Sequence, residues 1–165
     1  MVIILGVAGL VWWSKSVDSG TLNSGSGTSS SSEIIASGAG MLSAEETFYN
    51  FGKISMKDGN VSKTFKVWNK SSGDVNLESV TTSCMCTVAY VVNAGGKQGP
   101  FGMPGHGSVP KVNEVIKAGE SRDIEVVYDP NAHGPAGVGM IDRFVYLVDE
   151  NGQKLELEIK ANVTP

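Results

Sequence analysis

Three stretches of this chain, Val61–Asn69, Arg122–Tyr128 and Lys154–Val163, alternate apolar and polar residues with a period of two. In an extended strand that period sends one set of side chains to each face, so each stretch reads as a half-buried strand. No stretch repeats its apolar residues at helical spacing, and the core must therefore be assembled from sheets. Shorter strands are expected at Thr47–Gly52, Val75–Val80, Thr87–Val92, Asn113–Lys117 and Met140–Val148. Turn-forming residues separate them. Lys57-Asp58-Gly59-Asn60 and Asp149-Glu150-Asn151-Gly152 carry hairpin signals, Asn69–Asp74 reverses the chain, and Ala118-Gly119-Glu120 forms a tight turn.

The 21 glycines are scattered without a period, as a loop-rich β protein requires. Gly95–Pro110 contains six glycines and three prolines, which predicts a long loop in place of any regular element. These features together predict an all-β, immunoglobulin-like antiparallel β-sandwich of about seven to eight strands. At 165 residues the chain has room for one such domain.

The domain is expected to occupy residues 44–165 and to be preceded by two segments of another kind. Met1–Trp13 is an uncharged apolar run ending in Trp12 and Trp13, so residues 1–16 read as a signal peptide or membrane anchor. No A-x-A cleavage site follows, which favours an uncleaved anchor. Residues 17–43 are mostly Ser, Gly, Thr and Asn and bury too little apolar surface to offset the entropy of ordering. They read as a disordered, flexible linker. Anchor, spacer and domain in that order predict an extracytoplasmic protein, tethered to the membrane at the cell surface or in the periplasm. A formal net charge of -4, with no cluster of Lys or Arg, argues against nucleic acid as a partner.

Both cysteines of the protein fall in Ser83-Cys84-Met85-Cys86-Thr87, between two strand-forming runs. In an extended strand Cys84 and Cys86 would share one face and Met85 would point to the other. A bridge between them closes a short, strained ring, so the pair is expected either to be free or to do chemistry together. Four readings stay open: two small hydrophobes packed in the core, a soft-metal site, a dithiol–disulfide redox pair, and attachment to another chain. The metal reading adds Met103 and His106 from the glycine-rich loop to Cys84 and Cys86. Thiolate and thioether donors suit copper(I), and two cysteines with a histidine suit zinc.

Other residues carry less. His133 reads as a loop residue bonded to backbone, Asp142 and Arg143 as a surface pair, and Trp68 as core or sheet-edge packing. The chain has no nucleophile elbow, no phosphate loop and no catalytic carboxylate pair, so no enzyme activity is expected.

Several of these segments taken in order suggest a family. Asn50-Phe51-Gly52-Lys53-Ile54, Phe65–Asn69, Val80–Thr87, Lys117–Glu120 and Val126–Pro130 resemble the bacterial domain of unknown function numbered 1573. The resemblance extends from about residue 47 to 163, and its most specific mark is the Cys-x-Cys-Thr step before a strand. It implies an immunoglobulin-like, secreted or membrane-tethered domain without established activity. The chain departs from the family pattern at Met85, where glycine is usual, and in a longer connection at Gly99–Gly107. The leading expectation is a binding or structural module with a protein partner at the cell envelope. The alternatives are a copper or zinc protein using Cys84, Cys86, Met103 and His106, and a thiol–disulfide oxidoreductase.

Overall fold

The computed structural model describes residues 42–107 and 110–165. The anchor predicted for residues 1–16 and the linker residues up to 41 lie outside them. The described residues form ten strands: β1 (Leu42–Ala44), β2 (Phe48–Ser55), β3 (Val61–Asn69), β4 (Val75–Thr82), β5 (Thr87–Asn93), β6 (Gly96–Phe101), β7 (Glu114–Ile116), β8 (Ser121–Tyr128), β9 (Gly139–Asp149) and β10 (Lys154–Thr164). The only helical pieces among them are two 3-10 turns, Met56–Asp58 and Gly134–Gly137.

Two five-stranded sheets result, ordered β1-β3-β8-β5-β6 and β2-β10-β9-β4-β7. The inward residues of both sheets meet in one apolar core. Phe65, Val67, Ala89, Val91, Ile124 and Val126 come from the first sheet, and Val75, Leu77, Val145, Leu147, Leu157 and Ile159 from the second. The alternation read from the sequence is the alternation observed: in β3, Phe65 and Val67 are buried while Ser62, Thr64 and Lys66 are exposed.

Ten strands stand where about seven to eight were expected, and the structure corrects four further expectations. Strand β1 begins at Leu42, two residues inside the stretch read as linker, and pairs with β3 from Leu42 opposite Asn69 to Ala44 opposite Val67. Residues 96–101, read as loop, form edge strand β6, paired antiparallel to β5. Glycine and proline predict irregular backbone, but at an edge only one side of the strand needs hydrogen bonds, so Pro100 is tolerated there. Gly99 is needed where it stands. Its φ is 126°, and a Cβ on it would come within 2.9 Å of the Ala89 carbonyl oxygen. Third, the Lys57–Asn60 turn does not close a hairpin, because β2 lies in one sheet and β3 in the other. Last, the sandwich is not wholly antiparallel: β2 runs parallel to β10, with Phe48 opposite Glu158 and Ser55 opposite Thr164. The Asn151-Gly152 signal, by contrast, marks a true hairpin, with Lys154 opposite Val148 across β9 and β10.

Candidate functional site

The two cysteines lie in the connection from β4 to β5, which crosses between the sheets, and not in an extended strand. Two threonines bracket this turn. The Thr82 hydroxyl lies 3.0 Å from the Cys84 carbonyl oxygen and 2.9 Å from that of Thr87, both acceptors for its proton. The Thr87 N–H donates to the Cys84 carbonyl at 3.1 Å, closing a four-residue turn over Met85 and Cys86. Folding the chain back in this way draws the Cα atoms of Cys84 and Cys86 to 5.3 Å, and the two side chains are joined as a disulfide. A turn achieves what an extended strand would not, because neighbouring same-face residues of a strand stand farther apart.

The turn is fastened on both sides. Ser83 exchanges two bonds with Phe144 of β9: its N–H donates to the Phe144 carbonyl at 2.9 Å, and its hydroxyl accepts from the Phe144 N–H at 2.9 Å. The Asp129 N–H donates to the Cys86 carbonyl at 2.8 Å, which ties in the loop that follows β8. That loop carries His133, immediately before the second 3-10 turn.

Each sulfur has a nitrogen neighbour. Cys84 Sγ lies 3.2 Å from His133 Nε2. Arg143 Nε donates to Cys86 Sγ at 3.2 Å, while its Nη1 donates to the Asp142 carbonyl. The sulfurs also differ in access. Cys86 is buried at 2% exposure, Cys84 is half-buried, and Met85 between them is 50% exposed. Beneath the turn, burial holds the Tyr128 phenol above its ordinary range, Arg143 draws it down and Asp129 pushes it up.

Of the four residues predicted as a metal site, the structure brings Cys84 and Cys86 together and leaves His106 out. The donor atoms of Cys84, Cys86 and His133 all lie within 4.8 Å of one another, and this group does not include His106. His106 is exposed in the turn after β6, where its N–H donates to the Met103 carbonyl at 3.2 Å. Met103 is half-buried, one residue beyond Gly102, whose carbonyl accepts from the Thr82 N–H at 3.2 Å. His133, read as a backbone-bonded loop residue, is thus the histidine of the site.

Arg143 was expected to pair with Asp142, but the Asp142 carboxylate meets Lys160 at 3.4 Å and the guanidinium turns to Cys86. A signal for this was present. Arg143 shares the parity of Ile141, Val145 and Leu147, the inward positions of β9, and a cation at an inward position requires a partner.

Fold and site together define a class: an all-β sandwich domain carrying a half-exposed Cys-x-Cys disulfide turn between its sheets. Within that class, the model of a family described as protein of unknown function (DUF1573) matches residues 42–101. The match spans β1 to β6 with the cysteine turn; it stops short of the expected reach to about residue 163, leaving out the Lys117–Glu120 and Val126–Pro130 motifs and the segments that supply His133 and Arg143. No curated protein matches the chain.

Among solved structures, the chain is similar to a protein of unknown function from Porphyromonas gingivalis W83. The two are 17% identical with a TM-score of 0.54, over 79% of this chain and 50% of that one. It is also similar to part of a family 123 glycoside hydrolase from Clostridium perfringens, at 9% identity and a TM-score of 0.51, over 72% of this chain and 23% of the hydrolase. This chain therefore spans half or less of either protein, and at such identities the likeness is one of fold alone.

Proposed function

We propose that this chain is an extracytoplasmic, membrane-tethered, immunoglobulin-like module that binds a protein partner at the cell envelope. One observation carries the reading: both cysteines are closed into a disulfide turn that holds Met85 half-exposed. A disulfide persists in oxidising compartments outside the cytoplasm, which supports the location. A flexible, polarizable methionine on a fastened turn makes a contact point for a protein surface, which supports the role. The apolar run at Met1–Trp13 and the Ser/Gly-rich segment after it supply the tether.

The test is expression of the full chain in a bacterial host, with fractionation and protease treatment of intact cells and spheroplasts. The expected result is a membrane-associated protein cut from outside the cytoplasm, both cysteines oxidised, whose crosslinked partner is lost in Met85→Asp. A cytoplasmic protein with reduced cysteines would sink the proposal.

A second reading is favoured by the grouping of Cys84, Cys86 and His133. With the disulfide opened, two thiolates and one imidazole offer a three-donor set for copper(I) or zinc, with a fourth position left for another ligand. Reduced protein handled without oxygen should take up one equivalent of metal. Cys84→Ser should abolish uptake, His133→Ala should weaken it, and His106→Ala should leave it unchanged. Equal loss in the two histidine variants would refute this assignment.

A further inference from the structure

We propose that the Cys84–Cys86 disulfide is a thiol–disulfide exchange site that captures a partner protein through the partner's own thiol. Cys84 is the sulfur attacked and Cys86 the sulfur that leaves. This inference rests on the reading of the chain as a binding module and names the chemistry of its partner: a protein with one or two accessible cysteine thiols.

Access sets the direction of the reaction. A thiolate must reach the sulfur it attacks, and Cys84 is half-buried while Cys86 is 2% exposed. The environment of Cys86 suits a departing group. As the disulfide opens, negative charge collects on its sulfur, and that sulfur already accepts from the Arg143 guanidinium at 3.2 Å. The Thr87 hydroxyl, 3.7 Å from the same sulfur, is a second group able to donate to it. A fixed cation in a water-poor pocket stabilises the thiolate it touches far more than one in bulk water would. Cys84 faces His133 Nε2 at 3.2 Å, a neighbour placed to hydrogen-bond that sulfur when it departs in a second step.

The partner's thiolate attacks Cys84 Sγ, a partner–Cys84 disulfide forms, and the bond to Cys86 breaks with its electron pair left on Cys86. A partner with one thiol stays attached. In a partner with two, the second thiolate attacks the partner sulfur of the mixed disulfide and Cys84 leaves with that electron pair. The partner has then lost two S–H bonds and two electrons and gained one S–S bond. Cys84 and Cys86 have gained two electrons and, with two protons, become thiols. Met85, exposed beside Cys84, is positioned to meet the apolar surroundings of the incoming cysteine.

The experiment uses the oxidised full chain with dithiothreitol as the two-thiol probe and a cysteine-containing peptide as the one-thiol probe, followed by mass spectrometry under native conditions. Dithiothreitol should open the disulfide in the folded protein. In Cys86→Ser, a mixed disulfide should form at Cys84 with the oxidised peptide. In Cys84→Ser, labelling of Cys86 should be at least tenfold slower. Arg143→Gln should slow opening at least tenfold while Arg143→Lys recovers most of the rate, a pattern that simple loss of packing would not give. A disulfide that opens only after denaturation, attack at Cys86, or equal rates in both Arg143 variants would overturn the proposal. Unchanged, Met85-dependent crosslinking in such a protein would leave the binding-module reading standing. Loss of that crosslinking as well would remove both.

Discussion

Glu114 is a buried charge held by partners from the opposite sheet. It is 5% exposed, and its carboxylate accepts from Arg122 Nε, from Asn93 Nδ2 at 2.5 Å and from Gln98 Nε2 at 2.7 Å. These partners come from β8, β5 and β6 of one sheet, while Glu114 belongs to β7 of the other, so the carboxylate pins the sheets together. Burial works to lower the Arg122 pKa, but its bonds to Glu114 and Glu120 outweigh burial and raise it. Removing one member of such a network strands the other, so Glu114→Ala should cost about 3 kcal/mol. Urea unfolding should show a lower midpoint at an unchanged slope. A second prediction concerns Tyr128, whose phenol burial holds above its ordinary value near 10. The folded state then keeps the proton more tightly than the unfolded one. That contribution is complete below pH about 10 and is lost as pH rises through the folded value. Stability should therefore fall through that alkaline window, and Tyr128→Phe should flatten the fall. Tyr128 closes the alternating run of β8, but Glu114 does not stand out in the sequence. Glu114 sits at an inward position of a strand only three residues long, too short for its parity to be read, whereas the inward parity of Arg143 in the longer β9 was open to view.

At the scale of elements, the β4–β5 turn and strand β6 show what local sequence does and does not specify. The turn depends on the hydroxyl of Thr82, buried at 2% exposure between two carbonyls. Thr82→Val keeps the shape and removes the donor, leaving the Cys84 carbonyl with the single bond from Thr87. It should cost about 1–2 kcal/mol and speed opening of the disulfide by dithiothreitol. An unchanged unfolding midpoint would show that the hydroxyl does not support the turn. The sequence located this turn through its cysteines but gave it an extended shape, because β-forming residues on both sides mask a reversal four residues long. For β6 the error ran the other way. Gly96, Gly99 and Pro100 look irregular one at a time, and the pairing that makes them a strand is contributed by β5. Gly99→Ala tests that pairing. The added methyl would meet the Ala89 carbonyl oxygen at 2.9 Å on backbone with φ of 126°, a conformation that costs a residue with a Cβ roughly 1–3 kcal/mol.

Across the whole molecule, the long alternating strands followed from the sequence, whereas their arrangement into two sheets did not. Period-two alternation is a local property, so β3, β8, β9 and β10 were legible within one or two residues of their ends. Partnership depends on where a turn sends the chain. Lys57–Asn60 and Asn151-Gly152 have similar turn chemistry, yet the first crosses to the other sheet and the second closes a hairpin. The crossing lets β2 lie parallel to β10, so the first long strand and the last are neighbours. β10 is thereby flanked on both sides, by β2 and by β9, and its Leu157, Ile159, Ala161 and Val163 are all buried. Among the described residues, the buried apolar residues of the core run from Leu42 to Val163, and the two sheets from Leu42 to Thr164. Residues 42–165 should accordingly fold without the segment that precedes them. Expressed alone, that fragment should unfold in a single transition within about 0.5 kcal/mol of the full chain. Ending the chain at Gln153 removes β10 from between β2 and β9 and uncovers the core, and no cooperative transition should remain. Calorimetry of the two fragments decides the matter. A fragment 42–165 that melts without a transition would mean that residues before Leu42 belong to the folded unit.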